Sequence, residues 1–428
     1  MRCLLIIFAF FLCCPFINFK KPFLLRNIFI FYLYAIYNIA PYVFGDADER
    51  YYVWLVEFFV LIMVFVLGYI RGQRSRRFRI SAVRPISQSG VSFNKKDKFL
   101  ISGMIVLLMV HLFVIVKTIK SFGLSGFYSG AQSASLIADY GKLNVSGAVN
   151  QVITFGLGVV TLAVLAVLLE RMIVRRFISG KLLFRYECLR RRLILILAMI
   201  WLLLFPLIQF SRSGFVFGSM VMLAIWYWSR KHFPLMRFVV LIICAISVFI
   251  FIGQSRGERL GQRVSSSKLF ISELSPWVAY RDIRDNMDRL NYQYGRTLVT
   301  PLFLRLVPRG MWPEKPQNSG GYSNYILYPG AAQTGFMIAP TYLGALYLNF
   351  GFIGVIFGTI LLGYFSGWVD GIVLYQHWEK IGLFFIVFSS YICILRNDPA
   401  ITIFDLMAVI IFYLLISKWA STYKRRCA

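Results

Sequence analysis

Acidic residues are scarce in this sequence. Only 18 Asp and Glu stand against 46 Lys and Arg in 428 residues, and charged residues make up 15% of the chain. Histidine is scarcer still, at the scattered positions His111, His232 and His377, so metal or triad chemistry built on histidine has little to work with. The cysteines (Cys3, Cys13, Cys14, Cys188, Cys244, Cys393, Cys427) fall in apolar stretches or basic loops without paired metal-ligand spacing. Neither a disulfide nor a zinc site is expected. What is abundant is apolar surface: 59% of residues are hydrophobic and 17% aromatic, more than one soluble core can hide. The solvent for that surface is lipid. A net charge of +28 could point to nucleic acid, but the basic residues collect in short loops between apolar runs, as positive-inside topology requires. No nucleic-acid partner is expected.

Backbone groups left unpaired in hydrocarbon force apolar runs into helices, and the alternation of a β-barrel is absent. Eleven runs are long enough, at about 3–18, 23–44, 53–70, 99–119, 152–174, 193–210, 214–228, 238–253, 338–366, 381–395 and 399–417. The expected fold is an all-α polytopic membrane protein of about eleven transmembrane helices, within a range of ten to twelve. No small-residue cleavage site follows the first run, which reads as a retained helix. Segment 71–98 holds nine Lys or Arg against one Asp, and segment 175–192 holds seven against Glu187, which places both in the cytoplasm. The tail with Lys418, Lys424, Arg425 and Arg426 joins them, while the acidic turn Asp46, Asp48, Glu49 falls outside. Three parts follow: residues 1–253 with helices 1–8 and a smaller outer loop near 120–151, a large outer loop at 254–337, and residues 338–428 with the last three helices.

The large loop is the unusual feature. It carries eleven Lys or Arg against six acids, which reads either as a solvated domain steadied by ion pairs or as an anion site. Ser275-Pro276 marks a helix start, and Trp277, Tyr280, Arg281, Arg284 and Asp288 follow on one face. Such a helix suits the membrane surface, with arginines reaching phosphates; equally, Arg281 with Asp285 and Arg284 with Asp288 are i,i+4 pairs. Downstream, three prolines in the stretch 307–316 stiffen a turn that displays Arg309, Trp312 and Lys315. A guanidinium can hold a phosphate bidentately and an aromatic ring can stack on a sugar.

Charged groups at helix ends add Arg212, Arg396 and Asp398, each of which is also readable as an ordinary turn residue. Glu57 reads as snorkelling or paired within the bundle, and His111 as a satisfied intramembrane histidine. Glycines spaced through 344–363 allow close helix packing, and Tyr347 and Asn349 either line a polar entrance or pack.

Ser211-Arg212-Ser213-Gly214 opening a span, then Pro308-Arg309-Gly310-Met311-Trp312-Pro313-Glu314-Lys315-Pro316, then Gly344-Ala345-Leu346-Tyr347-Leu348-Asn349-Phe350-Gly351 resemble the bacterial O-antigen (oligosaccharide repeat-unit) polymerases. The resemblance implies a GT-C-like glycosyltransferase of the inner membrane, which joins undecaprenyl-pyrophosphate-linked oligosaccharides at the periplasmic face without metal or other cofactor. Its partners would be membrane lipids, a repeat-unit flippase and a chain-length regulator. An O-antigen ligase is the nearest alternative, and a polysaccharide flippase or transporter a more distant one. The reaction needs positive charge on the departing pyrophosphate and a base for the acceptor hydroxyl. Arg212 and Arg309 come to the first role from the family pattern; Arg256, Arg281 and Arg284 come from charge and position. Trp312, Lys315 and Tyr347 are candidates for holding glycan or pyrophosphate, and Asp282 is the candidate base.

Overall fold

The computed structural model describes residues 13–17, 24–39, 51–77, 95–128, 156, 158–171, 193, 196–197, 200, 275–304, 307, 312, 314–329, 339–375 and 380–421. These are helical, with no strand among them. In chain order the helices are α1 (Leu25–Tyr34, continued by a π turn at Ala35–Ile39), α2 (Tyr51–Arg77), α3 (Lys95–Tyr128) and α4 (158–171). They are followed by α5 (Ser275–Asp285), α6 (Met287–Leu290), α7 (Val299–Leu304), α8 (Ser319–Leu327), α9 (Thr341–Leu374), α10 (Ile381–Arg396) and α11 (Pro399–Ser421). Spans Val53–Ser75, Thr341–Leu374 and Pro399–Trp419 are long and apolar enough to cross a membrane. The chain is a helical membrane protein. The expected runs 214–228 and 238–253, and nearly all of 193–210, lie outside the described residues.

The α2–α9 crossing is the axis of the structure. Gly68 and Gly72 of α2 meet Gly363 and Gly367 of α9, two G-x-x-x-G stripes face to face. A Cβ on Gly68 or Gly72 would lie 2.2 Å from the Ile360 carbonyl oxygen or 2.0 Å from that of Tyr364. A Cβ on Gly363 or Gly367 would lie 2.2 and 2.1 Å from the carbonyl oxygens of Phe65 and Tyr69. Numbers rise together along both helices, so the two run parallel. Lipid gives helices no hydrophobic reason to associate, and close backbone approach gives them dispersion contact instead.

α9 is not one rod. Gly351 has φ 63° and ψ −161°, outside the helical region. The Tyr342 hydroxyl donates to the Gly358 carbonyl over 2.7 Å, although 16 residues of continuous helix would hold them about 24 Å apart. Residues 341–350 therefore fold back along the first turns of 352–374. The latter stretch is about 34 Å long at 1.5 Å per residue, sufficient for a hydrocarbon core of about 30 Å. The run expected at 338–366 overlaps the apolar helix Thr341–Leu374 but is interrupted at Gly351, because a glycine that the apolar pattern reads as packing makes a turn.

Side chains from neighbouring helices satisfy the helix ends. Asp370 of α9 accepts from Leu25 N (2.9 Å) and Arg26 N (3.2 Å), orphan donors of α1, and from the Tyr69 hydroxyl (3.0 Å). Tyr391 of α10 pairs with Ser366 of α9 at 2.8 Å, and Tyr32 of α1 donates to Leu395 O at 2.7 Å. His111 is buried with Nδ1 2.7 Å from Leu107 O, as expected of a satisfied intramembrane histidine.

Asp398 opens α11. It precedes Pro399, a sequence signal for a helix start, and its Oδ1 accepts from Ala400 N at 3.0 Å. Its Oδ2 accepts from Gly320 N at 3.1 Å, so one carboxylate caps both α11 and α8. Burial raises the Asp398 pKa to about 6, against the pull of the Gly320, Ala400, Ser319 and Ile401 amides. Since the folded pKa exceeds the ordinary 3.8, its stability contribution is full below pH about 4 and is lost as pH rises through about 6. Asp398→Asn removes that titration but turns an amide N–H toward Gly320 N or Ala400 N. Thermal unfolding should show the stability of the parent falling between pH about 4 and about 7 relative to that of the variant. Asp398 is thereby a structural turn residue.

Candidate active site

A polar and aromatic cluster forms where α5 settles on the Tyr51 end of α2. Ser275-Pro276 begins α5 as expected, but Trp277 and Tyr280 face protein and are fully buried. Trp277 packs edge-on against Trp54 (ring centroids 4.4 Å) and Tyr37 (6.0 Å). Burying two large rings in this aromatic nest fixes the rotation of α5, and with it the direction of Arg281 and Arg284.

Glu57, one turn beyond Trp54 on α2, is the centre of the cluster. It is 5% exposed. Its Oε1 accepts from the hydroxyls of Tyr37 (2.8 Å) and Tyr280, and its Oε2 from Arg284 Nη1 (2.5 Å). A buried carboxylate needs such compensation. Glu57 is thus paired within the bundle, one of the two roles its sequence position allows. The Arg284 guanidinium also lies over the Trp54 ring, 4.3 Å from its centroid. Burial opposes the charge of Arg284, but Glu57 with Tyr280 and Tyr347 together more than offset that, so it remains a cation. One edge of the guanidinium is spent on Glu57; its other N–H groups carry no hydrogen bond to a described residue, and 27% of the side chain is exposed. The half-buried Tyr347 stands alongside, edge-on to Tyr280 at 6.1 Å and within electrostatic reach of Arg284 and Tyr292.

On the same helix Arg281 Nε and Nη2 donate to Asp282 Oδ1 at 3.0 and 2.9 Å. The Tyr328 hydroxyl donates to Asp282 Oδ2. Burial, then the Asp282 carboxylate, push the Tyr328 phenol up, so it stays a proton donor at neutral pH. Asp282 therefore sits between a cation and a phenol, partly exposed on the layer built from α5 to α8.

Asn349 ties the α6–α7 turn to this layer. Because α9 breaks at Gly351, the Leu348 and Asn349 carbonyls lose their helical partners, and Gln293 N (3.1 Å) and Tyr294 N (3.0 Å) take them. The Asn349 amide oxygen accepts from Gly295 N at 3.0 Å and Thr297 Oγ1 at 3.1 Å, while its nitrogen donates to Ala345 O at 2.8 Å. Two residues in this turn, Asn291 (φ 56°) and Tyr294 (φ 44°), occupy the left-handed region without being glycine. Such conformations cost about 1–3 kcal/mol each and persist where the surroundings over-determine them. Asn349 takes the packing role of the two its position allowed.

Of the candidates read from sequence, Arg284 and Tyr347 come together at Glu57, while Asp282, two residues from Arg284 and so on another face of α5, pairs with Arg281 and with Tyr328. Trp312 is exposed on the proline-rich segment, and Lys315 Nζ donates to Val307 O at 2.9 Å, closing that segment on itself. Arg212, Arg256 and Arg309 lie outside the described residues. Arg284 pairs with Glu57, 227 positions away, where the helical pattern offered Asp288. The partners of Glu57 were invisible in the sequence; a lone acid inside an apolar run was the one signal pointing to it.

Residues 261–394 match the family model of the WzyE protein, O-antigen assembly polymerase. The match makes that segment of the 428-residue chain similar to the O-antigen assembly polymerases. No solved structure matches the chain. The matched segment contains α5 to α9 and nearly all of α10, hence Arg281, Asp282, Arg284, Tyr347 and the Gly351 turn. Glu57 and Trp54, which position Arg284, lie on α2 outside it.

Proposed function

We propose that this protein polymerises undecaprenyl-pyrophosphate-linked oligosaccharide repeat units at the periplasmic face of the inner membrane. The growing glycan leaves one lipid pyrophosphate and joins a sugar hydroxyl of a second lipid-linked unit, with no metal taking part. The observation that carries the reading is Arg284: a cation held at one edge by Glu57, stacked on Trp54, with donors to spare beside Tyr347. This arrangement suits the charge that develops on a departing pyrophosphate.

In the step itself, the acceptor oxygen bonds to the anomeric carbon while the bond from that carbon to the pyrophosphate oxygen breaks, and the leaving group keeps the electron pair. Arg284, with Arg309, Arg212 and Arg256 from the sequence pattern, takes up the charge. The acceptor proton passes to Asp282, whose Oδ2 now receives the Tyr328 hydroxyl and would receive the acceptor hydroxyl in its place. Arg281 holds the other oxygen of that carboxylate. Trp312 and Lys315 contact the glycan. In this reading the outer layer from α5 to α8 caps the site, 254–337 forms the periplasmic part of a GT-C-like protein of about eleven spans, and the C-terminus is cytoplasmic. A flippase and a chain-length regulator act before and alongside it.

Arg284→Ala and Arg309→Ala are each expected to lower chain extension by at least about 100-fold, on the scale of losing one transition-state donor, while membrane insertion is kept. The comparison is glycan length on a gel against protein recovered from membranes. Full-length polymer from either variant would remove that arginine from the site.

A further inference from the structure

Two rings next to this cluster stand largely or partly outside the packing of the layer. Tyr294 is 81% exposed and Tyr292 43%, their ring centroids 6.3 Å apart. They project from the left-handed turn that Asn349 clasps, with Gly295 (φ 87°) completing it. A turn held in a strained conformation by four hydrogen bonds, to display exposed aromatic side chains, has the construction of a binding element. The Tyr292 ring is seated against Gly351, where an added Cβ would lie 3.4 Å from its Cε1. Gly351 is four residues beyond Tyr347 on α9, and the Tyr347 ring lies 6.1 Å from that of Tyr280, which shares Glu57 with Arg284. Arg284, Tyr347, Tyr292 and Tyr294 are thus neighbours, a cation followed by an aromatic pair.

We infer that Tyr292 and Tyr294 form a sugar-stacking subsite for the saccharide that adjoins the pyrophosphate held by Arg284 and Tyr347. The inference rests on the polymerase reading for the ligand at Arg284. A sugar ring offers C–H faces to an aromatic surface and hydroxyls to its polar rim, and tyrosine supplies both. The spacing suits the ligand's own order, in which charge is followed directly by carbohydrate.

The test compares two probes on protein in nanodiscs: bare undecaprenyl pyrophosphate, and the cell's own undecaprenyl-pyrophosphate-linked repeat unit. The parent protein should bind the sugar-bearing lipid about tenfold more tightly or better, a step of about 1.4 kcal/mol. The Tyr292→Ala/Tyr294→Ala double variant should lose that increment while bare-lipid affinity stays within about twofold, and Tyr294→Trp should retain it. The inference is overturned if the parent shows no sugar-dependent increment, or if the double variant keeps it. Equal weakening toward both lipids would also overturn it, since that marks a membrane anchor or a distorted turn. Loss of the increment in a protein that makes no polymer would uphold the subsite and remove the polymerase reading instead.

Discussion

Gly68→Leu and Gly367→Leu are each expected to abolish recovery of folded protein. Each puts a side chain where even its Cβ meets a carbonyl oxygen, 2.2 Å away at Gly68 and 2.1 Å at Gly367. Overpacking costs about 1–3 kcal/mol where neighbours can turn aside, and a carbonyl in a helix cannot, so the upper end or beyond is expected. The Tyr69 hydroxyl would move with its helix and leave Asp370 without that donor. Size-exclusion recovery from detergent measures the effect. Gly103→Leu is the matched control, because nothing lies within 4 Å of a Cβ added there. Normal recovery of Gly68→Leu would show that α2 and α9 do not cross at these glycines.

The second large effect is at Glu57. Glu57→Ala leaves a guanidinium and two tyrosine hydroxyls facing a void. Breaking a fully buried ion pair costs about 3–5 kcal/mol, and the partial exposure of Arg284 places this one toward the lower end. Glu57→Gln is the milder change. The amide oxygen still accepts from Tyr37 and Tyr280, but the amide nitrogen faces Arg284 Nη1, so thermal stability should fall by less than in Glu57→Ala while Arg284 loses the charge that orients it. Chain extension is expected to fall at least about tenfold in Glu57→Gln, with Arg284 as the residue through which Glu57 acts. Equal activity in Glu57→Gln and parent would make the pair a structural tie alone.

Local signals were legible in the sequence. Ser275-Pro276 and Asp398-Pro399 mark helix starts by capping chemistry, and the apolar runs near α2, α10 and α11 mark those helices to within several residues. Two of the sequence candidates, Arg284 and Tyr347, lie together at Glu57, and two others, Arg281 and Asp282, pair with each other. What stayed hidden depends on tertiary contact. Trp277 and Tyr280 have the composition of residues at a membrane surface, but Trp54 and Tyr37 enclose them. Charge spacing on a helix offers Arg284 the nearby Asp288, while a buried carboxylate on another span competes better because it has lost its water. Gly351 reads like its neighbours Gly344, Gly354 and Gly358, since a positive φ leaves no mark on composition.

The central claim is glycosyl transfer between lipid-linked units at the Arg284 cluster. Its most direct test is purified protein in nanodiscs, incubated with lipid-linked repeat units in excess EDTA, the products resolved on a gel. The account predicts a ladder of regular steps from the parent and none from Arg284→Ala. Unchanged single units from folded parent protein, with the substrate shown intact, would contradict it.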